Sequence, residues 1–358
     1  MVVVTVFSRH RAQPRIWARC TSAAHKRSSI PPVVQRPYTP YHHAVGGAVA
    51  VAATPLHALN EYGVDNLVPK TPVPLAVYAA HPDQAGGPRF AAATATHAGL
   101  VRPSNEDALL SYVPADPQLL LARGALFGVA DGVGGQAAGE VASQTAVDVL
   151  AAEYYSPRAP HQIEHALGQA LQAANLRVFN LAHGADLALR FMQTTLSALV
   201  LLGRQAYLAH VGDTRIYLLR DGVLTQLTGD HSEAAELLRL RLITPEQAHN
   251  HPRRSVLTRT MGGALQLRPD FQRVAVRAGD RFLLCTDGLW GEVEPEALVP
   301  ALAGPPPEAC DRLVALACER GGSDNVSLSI VHVLDPGPVP TVSPPSRMSR
   351  LLAGLRGG

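Results

Sequence analysis

Five acidic placements could carry chemistry in this sequence: Glu106-Asp107, Asp131-Gly132, Gly212-Asp213, Asp287-Gly288 and Asp324-Asn325. Each stands beside glycine or asparagine at the edge of an apolar run. The run from Ala125 to Ala130 reads as a buried strand that ends on Asp131. Gly132-Val133-Gly134-Gly135 follows, and glycines let backbone come close to a ligand. A strand-end carboxylate next to an exposed carbonyl, here that of Gly132, suits a hard cation. A lone Asp-Gly pair is ordinarily a turn, but five such placements in one chain are hard to attribute to turns alone. Carboxylates gathered without cations repel and are driven toward protonation, so a cluster of them calls for metal. All-oxygen ligands select Mg2+ or Mn2+ over zinc. Cys20, Cys285, Cys310 and Cys318 have no zinc-like spacing, and their usage fits a reducing compartment without disulfides.

The elements that must position these acids follow in order. Ala91 to His97 and Ala108 to Val113 read as strands around a polar turn that contains Arg102. A helix pattern from about Ala138 to Tyr154 places Val147, Leu150, Ala151 and Tyr154 on one face. A second runs to about Ala182 with Ile163, Ala166, Leu167, Ala170, Leu171, Ala174 and Val178 as its core stripe; His161, His165 and His183 beside it face solvent. Thr194 to Leu202, Gln205 to Val211, Thr214 to Arg220 and Val223 to Leu227 form a strand meander. Their connections, Gly203-Arg204, Gly212-Asp213 and Asp221-Gly222, are hairpin signals that predict antiparallel neighbours. Thr244-Pro245-Glu246 opens a helix with an N-cap and a proline at N1. Arg281 to Thr286 is a buried strand, Pro306 to Arg320 a helix, and Val326 to Leu334 a closing strand in which Val326, Leu328 and Ile330 alternate with serines. Strands arriving as hairpins, with grouped helices, predict an α+β fold with antiparallel sheets.

Charge divides the chain. Residues 1–90 hold nine Lys/Arg, three acids and eleven prolines, whereas 91–334 hold 19 arginines, 25 acids and no lysine. The acidic middle points away from nucleic acid. Residues 1–90 read as a basic, Pro-rich, disordered extension, 91–334 as the folded domain and 335–358 as a disordered tail. The Arg-rich, acid-free start also resembles an organelle transit peptide, and a start codon set too far upstream would leave the same composition. No apolar run reaches the ~18 residues of a membrane helix.

The motifs resemble those of the metal-dependent serine/threonine protein phosphatases, the PPM or type 2C family, in its bacterial branch. The resemblance is carried by Gly99-Leu100-Val101-Arg102-Pro103-Ser104-Asn105-Glu106-Asp107, the Asp131 loop and His210-Val211-Gly212-Asp213-Thr214-Arg215. It continues in Ile243-Thr244-Pro245-Glu246-Gln247-Ala248, Leu257-Thr258-Arg259, Cys285-Thr286-Asp287-Gly288-Leu289 and Gly321-Gly322-Ser323-Asp324-Asn325-Val326. They occur in family order. The resemblance implies two antiparallel sheets packed as a sandwich with helices on both outer faces and metals at one end. It implies hydrolysis of phosphoserine and phosphothreonine by metal-activated water at a binuclear Mn2+ or Mg2+ centre. Asp131 would be the central catalytic ligand that bridges both ions. Asp287 and Asp324 would complete one, and Glu106 and the Gly132 carbonyl would serve the other. Asp213 would hold a third, weaker ion, and Asp107 belongs to the same acid set. Arg102 would grip the substrate phosphate, for which its planar fork is suited. The implied partners are phosphorylated proteins and an opposing Ser/Thr kinase, for a monomeric cytoplasmic enzyme. Three positions depart from the family: Val133 where eukaryotic members often carry histidine, Gln193 before the Thr-Thr pair, and Arg241-Leu242 before Ile-Thr-Pro. A non-catalytic phosphoprotein-binding module and a hydrolase of small phosphoesters are the competing readings.

Overall fold

The computed structural model describes residues 78–79, 89–134 and 137–337, with Tyr78, Ala79, Ala137 and His249 as backbone only. All of them belong to one compact unit, Leu59–Gly358. One sheet runs β1 (Tyr78–Ala79), β2 (Arg89–His97), β12 (Val326–Asp335), β11 (Arg281–Cys285), β8 (Arg215–Arg220) and β9 (Val223–Gln226). The other runs β10 (Asp270–Ala275), β7 (Gln205–Val211), β6 (Leu196–Leu202), β4 (Ala125–Val133) and β3 (Asp107–Tyr112), with β5 (Gln193–Thr194) paired to the end of β4. Every pairing among them is antiparallel. The helices are α1 (Pro117–Arg123), α2 (Ala137–Tyr154), α3 (Ile163–Ala182), α4 (Glu233–Arg239), α5 (Pro245–His249), α6 (Asp287–Trp290), α7 (Pro295–Ala301) and α8 (Pro306–Glu319).

The sequence periods explain the layers. In β11, Phe282 and Leu284 join Phe90, Phe127, Leu199, Leu201 and Val331 in the core between the sheets. Leu283 and Cys285 turn the other way, onto Leu298, Leu313 and Ala317 of α7 and α8. On the far side, the apolar stripes of α2 and α3, including Leu150, Tyr154, Leu167 and Leu171, cover Ala198 and Val200 of β6. Strands covered on both faces read as continuous apolar runs. The same coverage buries Ser327 and Ser329 of β12, whose alternation with Leu328 and Ile330 would otherwise mark a solvent face. The architecture is the expected α+β sandwich with helices on both outer faces.

Three local expectations are corrected. The Gly212-Asp213 connection is no hairpin: β7 and β8 lie in different sheets, and the chain crosses from one to the other there. Gly212 (φ 108°) makes that crossing against Thr195, where a β-carbon would collide with the Thr195 side chain. The strand expected over Thr194 to Leu202 is split at Thr195 into β5 and β6, because Thr194 bridges to Met261 while β6 pairs with β7. The sheet also begins before residue 91. Arg89 and Phe90 belong to β2, and Tyr78 and Ala79 pair with Ala92 and Ala91. Most of 1–90 and of 335–358 lies outside the described residues.

Phe90 is 1% exposed and meets Phe127 edge-on, with ring centroids 5.8 Å apart. A chain beginning at Gly87 keeps this residue, and one beginning at Ala91 loses it. The shorter chain should be less stable by about 3–5 kcal/mol, the usual cost of deleting a buried aromatic. Urea titration of the two checks this, and equal midpoints would refute it.

Candidate metal centre

Asp131 and Asp107 lie directly opposite one another in the β4–β3 pair, so both side chains leave the same face. Asp131 does not end its strand, contrary to the sequence expectation, because β5 extends the pairing to Gly132 and Val133. Two threonines fix its backbone. The Asp131 N–H donates to Thr195 Oγ1 (2.9 Å). The Asp131 carbonyl accepts from the Thr195 N–H (2.9 Å) and from Thr194 Oγ1 (2.8 Å).

Glu106 and Gly132 meet at the start of α2. The Glu106 carbonyl accepts from the Gly132 N–H (3.2 Å) and from Ser143 Oγ (2.6 Å). A β-carbon at Gly132 would collide with the Gly139 carbonyl, and one at Gly139 would collide with the Glu106 carboxylate. The same point at Gly139 is 2.9 Å from the Gly132 carbonyl oxygen. Glycine at both positions therefore lets a carboxylate and a backbone carbonyl stand side by side, two oxygen donors of the kind that Mg2+ and Mn2+ take.

Asn325 assembles the rest, a role that sequence reasoning missed. Its Oδ1 accepts from the Glu106 N–H (2.8 Å), and its Nδ2 donates to the carbonyls of Ala98 (2.9 Å) and Ser104 (2.8 Å). The only signal available was an amide in the Ser-Asp-Asn run, a residue type that mostly marks turns. Around it, Leu100 N–H donates to the Gly322 carbonyl (2.7 Å), and Arg102 Nη2 donates to Asp324 Oδ2 (2.6 Å). Arg102 thus stands at the acid cluster with its side chain half exposed. Glu292 Oε1 accepts from Ser323 Oγ (2.5 Å), which ties the Asp324 loop to the end of α6. Asp287 begins α6 directly after Cys285 and Thr286, and Asp213 sits buried in the sheet-switching turn.

These acids feel one another. Burial raises Asp131 well above the usual carboxylate range, and Asp107, Asp287, Asp213 and Asp324 push the same way. Asp213 is raised by burial, then by Asp287 and Asp230. Asp287 is raised by burial and by Asp324, with a hydrogen bond to Asp131 opposing. Burial also raises Asp107 strongly and Glu106 moderately. Asp107 Oδ2 accepts from Thr286 Oγ1 (3.0 Å), while Asp107 Oδ1 and Asp287 Oδ1 are buried without a hydrogen-bond partner. Unpartnered buried oxygens amid like charge are what a cation relieves, so this donor set fits divalent metal. Among the described residues the acids ring the site without three side chains already meeting at one point. Among the described residues, cavities of about 200 and 380 Å3 lie away from the acids, beside His210 and Phe271 and over α3.

A family model described as Protein phosphatase 2C matches residues 104–312. The chain belongs to the protein phosphatase 2C family. It is 40% identical over 245 residues to the serine/threonine protein phosphatase PstP of Mycobacterium tuberculosis, a match over 66% of this chain and 44% of that protein. The chain thus spans less than half the length of that relative. It is 33% identical over 242 residues to the protein phosphatase PhpP of Streptococcus pneumoniae, covering 66% of this chain and 95% of that one. Among solved structures, the M. tuberculosis phosphatase PstP/Ppp superimposes with a TM-score of 0.60 at 37% identity, over 68% of this chain and 98% of that one. The catalytic domain of PstP in complex with two manganese ions superimposes with a TM-score of 0.59 at 36% identity, over 69% of this chain and 99% of that one.

Behind the acids, this type 2C chain buries two neutral histidines. His210 Nδ1 faces Ser197 Oγ (2.8 Å) and its Nε2 faces the Gly229 carbonyl (3.1 Å). The carbonyl can only accept, so Nε2 carries the proton. His231 Nδ1 accepts the Gly212 N–H (3.1 Å), and the Gly212 carbonyl accepts the His231 N–H (2.7 Å), so His231 grips the peptide that precedes Asp213. Burial lowers the His210 pKa to about 4, with His231 adding to the effect. The unfolded chain protonates this group near pH 6.5 and the folded chain does not. Stability from His210 is therefore complete above about pH 6.5 and is lost as pH falls toward 4, by about 3 kcal/mol in all. Urea unfolding between pH 7 and pH 5 should fall more steeply for the parent than for His210→Gln. Parallel pH profiles would refute the assignment of a neutral buried imidazole.

Proposed function

We propose that this chain is a protein serine/threonine phosphatase dependent on Mn2+ or Mg2+. The observation that carries the reading is the gathering of Asp107, Asp131, Asp213, Asp287 and Asp324 at one end of a type 2C sandwich, with Arg102 tied to the same rim. Divalent ions bound there supply an acidified water and positive charge for the phosphate oxygens of the ester. Asp131 would hold metal at the centre of the set, with Asp287 and Asp324 on one side and Glu106 and the Gly132 carbonyl on the other. Asp107, opposite Asp131, would offer its unpartnered Oδ1, and Asp213 would hold a third, weaker ion. Support for metal dependence comes from the two manganese ions in the related catalytic domain.

Arg102 uses one N–H on Asp324 and keeps the rest of its fork for phosphate, where planar bidentate contact is strongest. Phosphate-ester cleavage depends on position and charge neutralisation, so a protein nucleophile is not required. The protein substrates carry phosphoserine or phosphothreonine, and the enzyme reverses a Ser/Thr kinase as a cytoplasmic monomer. No helix among the described residues is long and apolar enough to cross a membrane.

Phosphate release from a phosphothreonine peptide and from a small aryl phosphate should vanish in chelator and return with Mn2+ better than with Ca2+, whose looser shell positions water poorly. Asp131→Asn should lower turnover by on the order of a thousandfold or more. Full turnover in chelator after dialysis, or parental turnover in Asp131→Asn, would sink the reading. Hydrolysis of the aryl ester alone would favour a small-molecule phosphatase.

Arg102→Ala should raise KM for the phosphopeptide and lower kcat/KM by about 10- to 100-fold. Steady-state kinetics at saturating Mn2+ checks this. An unchanged KM with weakened metal binding would instead make Arg102 a partner of Asp324 and nothing more.

A further inference from the structure

The short helix α6 does more than carry Asp287. It has four residues, with Asp287 first and Trp290 last. The Trp290 Nε1–H donates to the backbone carbonyl of Asp213 at 3.0 Å. That carbonyl belongs to the turn in which the chain leaves one sheet for the other. One hydrogen bond thus joins the helix of one acid to the turn of another, and these acids come from segments 74 positions apart in sequence.

The indole is itself held. The Arg215 guanidinium lies over its ring, 3.5 Å from the centroid. Arg215 is fixed in turn by a two-pronged pair with Asp230, Nε to Oδ1 at 2.9 Å and Nη2 to Oδ2 at 2.7 Å. Its remaining Nη1 donates to the Tyr217 hydroxyl at 2.9 Å. Arg215 follows Asp213 by two residues at the start of β8, so the turn is gripped on both sides of Thr214. A cation over an indole face is attractive, and the charge pair with Asp230 keeps the guanidinium planar and oriented. An indole N–H that is half-buried takes a hydrogen-bond acceptor. Here the acceptor is the backbone carbonyl of Asp213 itself.

We propose that Trp290, oriented by Arg215, is a positioning residue that sets the Asp213 turn against the Asp287 helix for divalent-ion binding. The proposal rests on the reading that Asp213 and Asp287 are metal ligands. Leu or Phe at 290 would fill the same space and leave the Asp213 carbonyl without its donor. The Asp213 turn would then keep its His231 contacts at Gly212 but lose its tie to the Asp287 helix.

Trp17 and Trp290 are the only tryptophans in the sequence. In full-length protein carrying Trp17→Phe, Trp290 is the sole indole, and its emission should change as Mg2+ is added. Binding of Mn2+, counted by loss of the free-ion paramagnetic resonance signal, should need about tenfold more metal in Trp290→Phe, the equivalent of one hydrogen bond. In chelator the urea midpoint of Trp290→Phe should fall, because the Asp213 carbonyl loses its donor. Arg215→Lys, which keeps the charge but not the flat stack, should shift Mn2+ binding in the same direction. Parental Mn2+ binding in Trp290→Phe, or an emission blind to Mg2+, overturns the proposal while leaving the phosphatase reading intact. A parent protein that binds neither ion overturns both.

Discussion

Mutual repulsion among buried carboxylates is the constraint on which the rest of this structure depends. Asp107, Asp131, Asp213 and Asp287 all sit where burial and neighbouring acids raise their proton affinity. Left to side-chain forces alone, such a set would spread or protonate. The fold therefore fixes the backbone beneath each acid and leaves the carboxylates to face one another. Thr194 and Thr195 hold Asp131, Asn325 holds Glu106, and Trp290 holds Asp213. The holders are neutral groups, so they add order without adding charge.

The sandwich supplies the convergence. The acids come from both sheets and from the connections between them: β3 and β4 on one side, the starts of α6 and β12 on the other. The crossing at Gly212-Asp213-Thr214 is where the two sheets are joined by the fewest residues. A turn this short between sheets leaves its peptide groups without ladder partners. His231 and Trp290 provide partners for Gly212 and Asp213, which makes buried side chains substitutes for a missing strand.

Electrostatic design also extends behind the site. His210 and His231 are kept neutral by burial, and Arg215, the cation deepest under the acids, is matched by Asp230. At the rim, partly exposed Arg102 reaches Asp324, and exposed Arg254 acts on Asp287. Positive charge is thus left partly exposed at the edge and paired in the interior, where an unpaired cation would be costly to desolvate.

Much of this was legible in the sequence. The helix over Ala138 to Tyr154, the strand Gln205 to Val211 and the capped turn at Thr244 were visible because local period and cap chemistry are properties of neighbouring residues. So were the acids themselves, since a carboxylate beside glycine announces a close approach of backbone and ligand. What only the tertiary structure decided is which of these residues meet. Gly212-Asp213 has the composition of a hairpin, and nothing local says that β8 will pair with β11 in the opposite sheet. Asn325 is one more polar residue in a loop until Ala98, Ser104 and Glu106 are brought to its amide. Trp290 carries no signal in the sequence that its N–H will meet the Asp213 carbonyl. Residue types determined the chemistry on offer, because charge and donor atoms belong to single side chains. Register and sheet order, set by burial of apolar faces summed over the whole chain, decided where that chemistry was assembled.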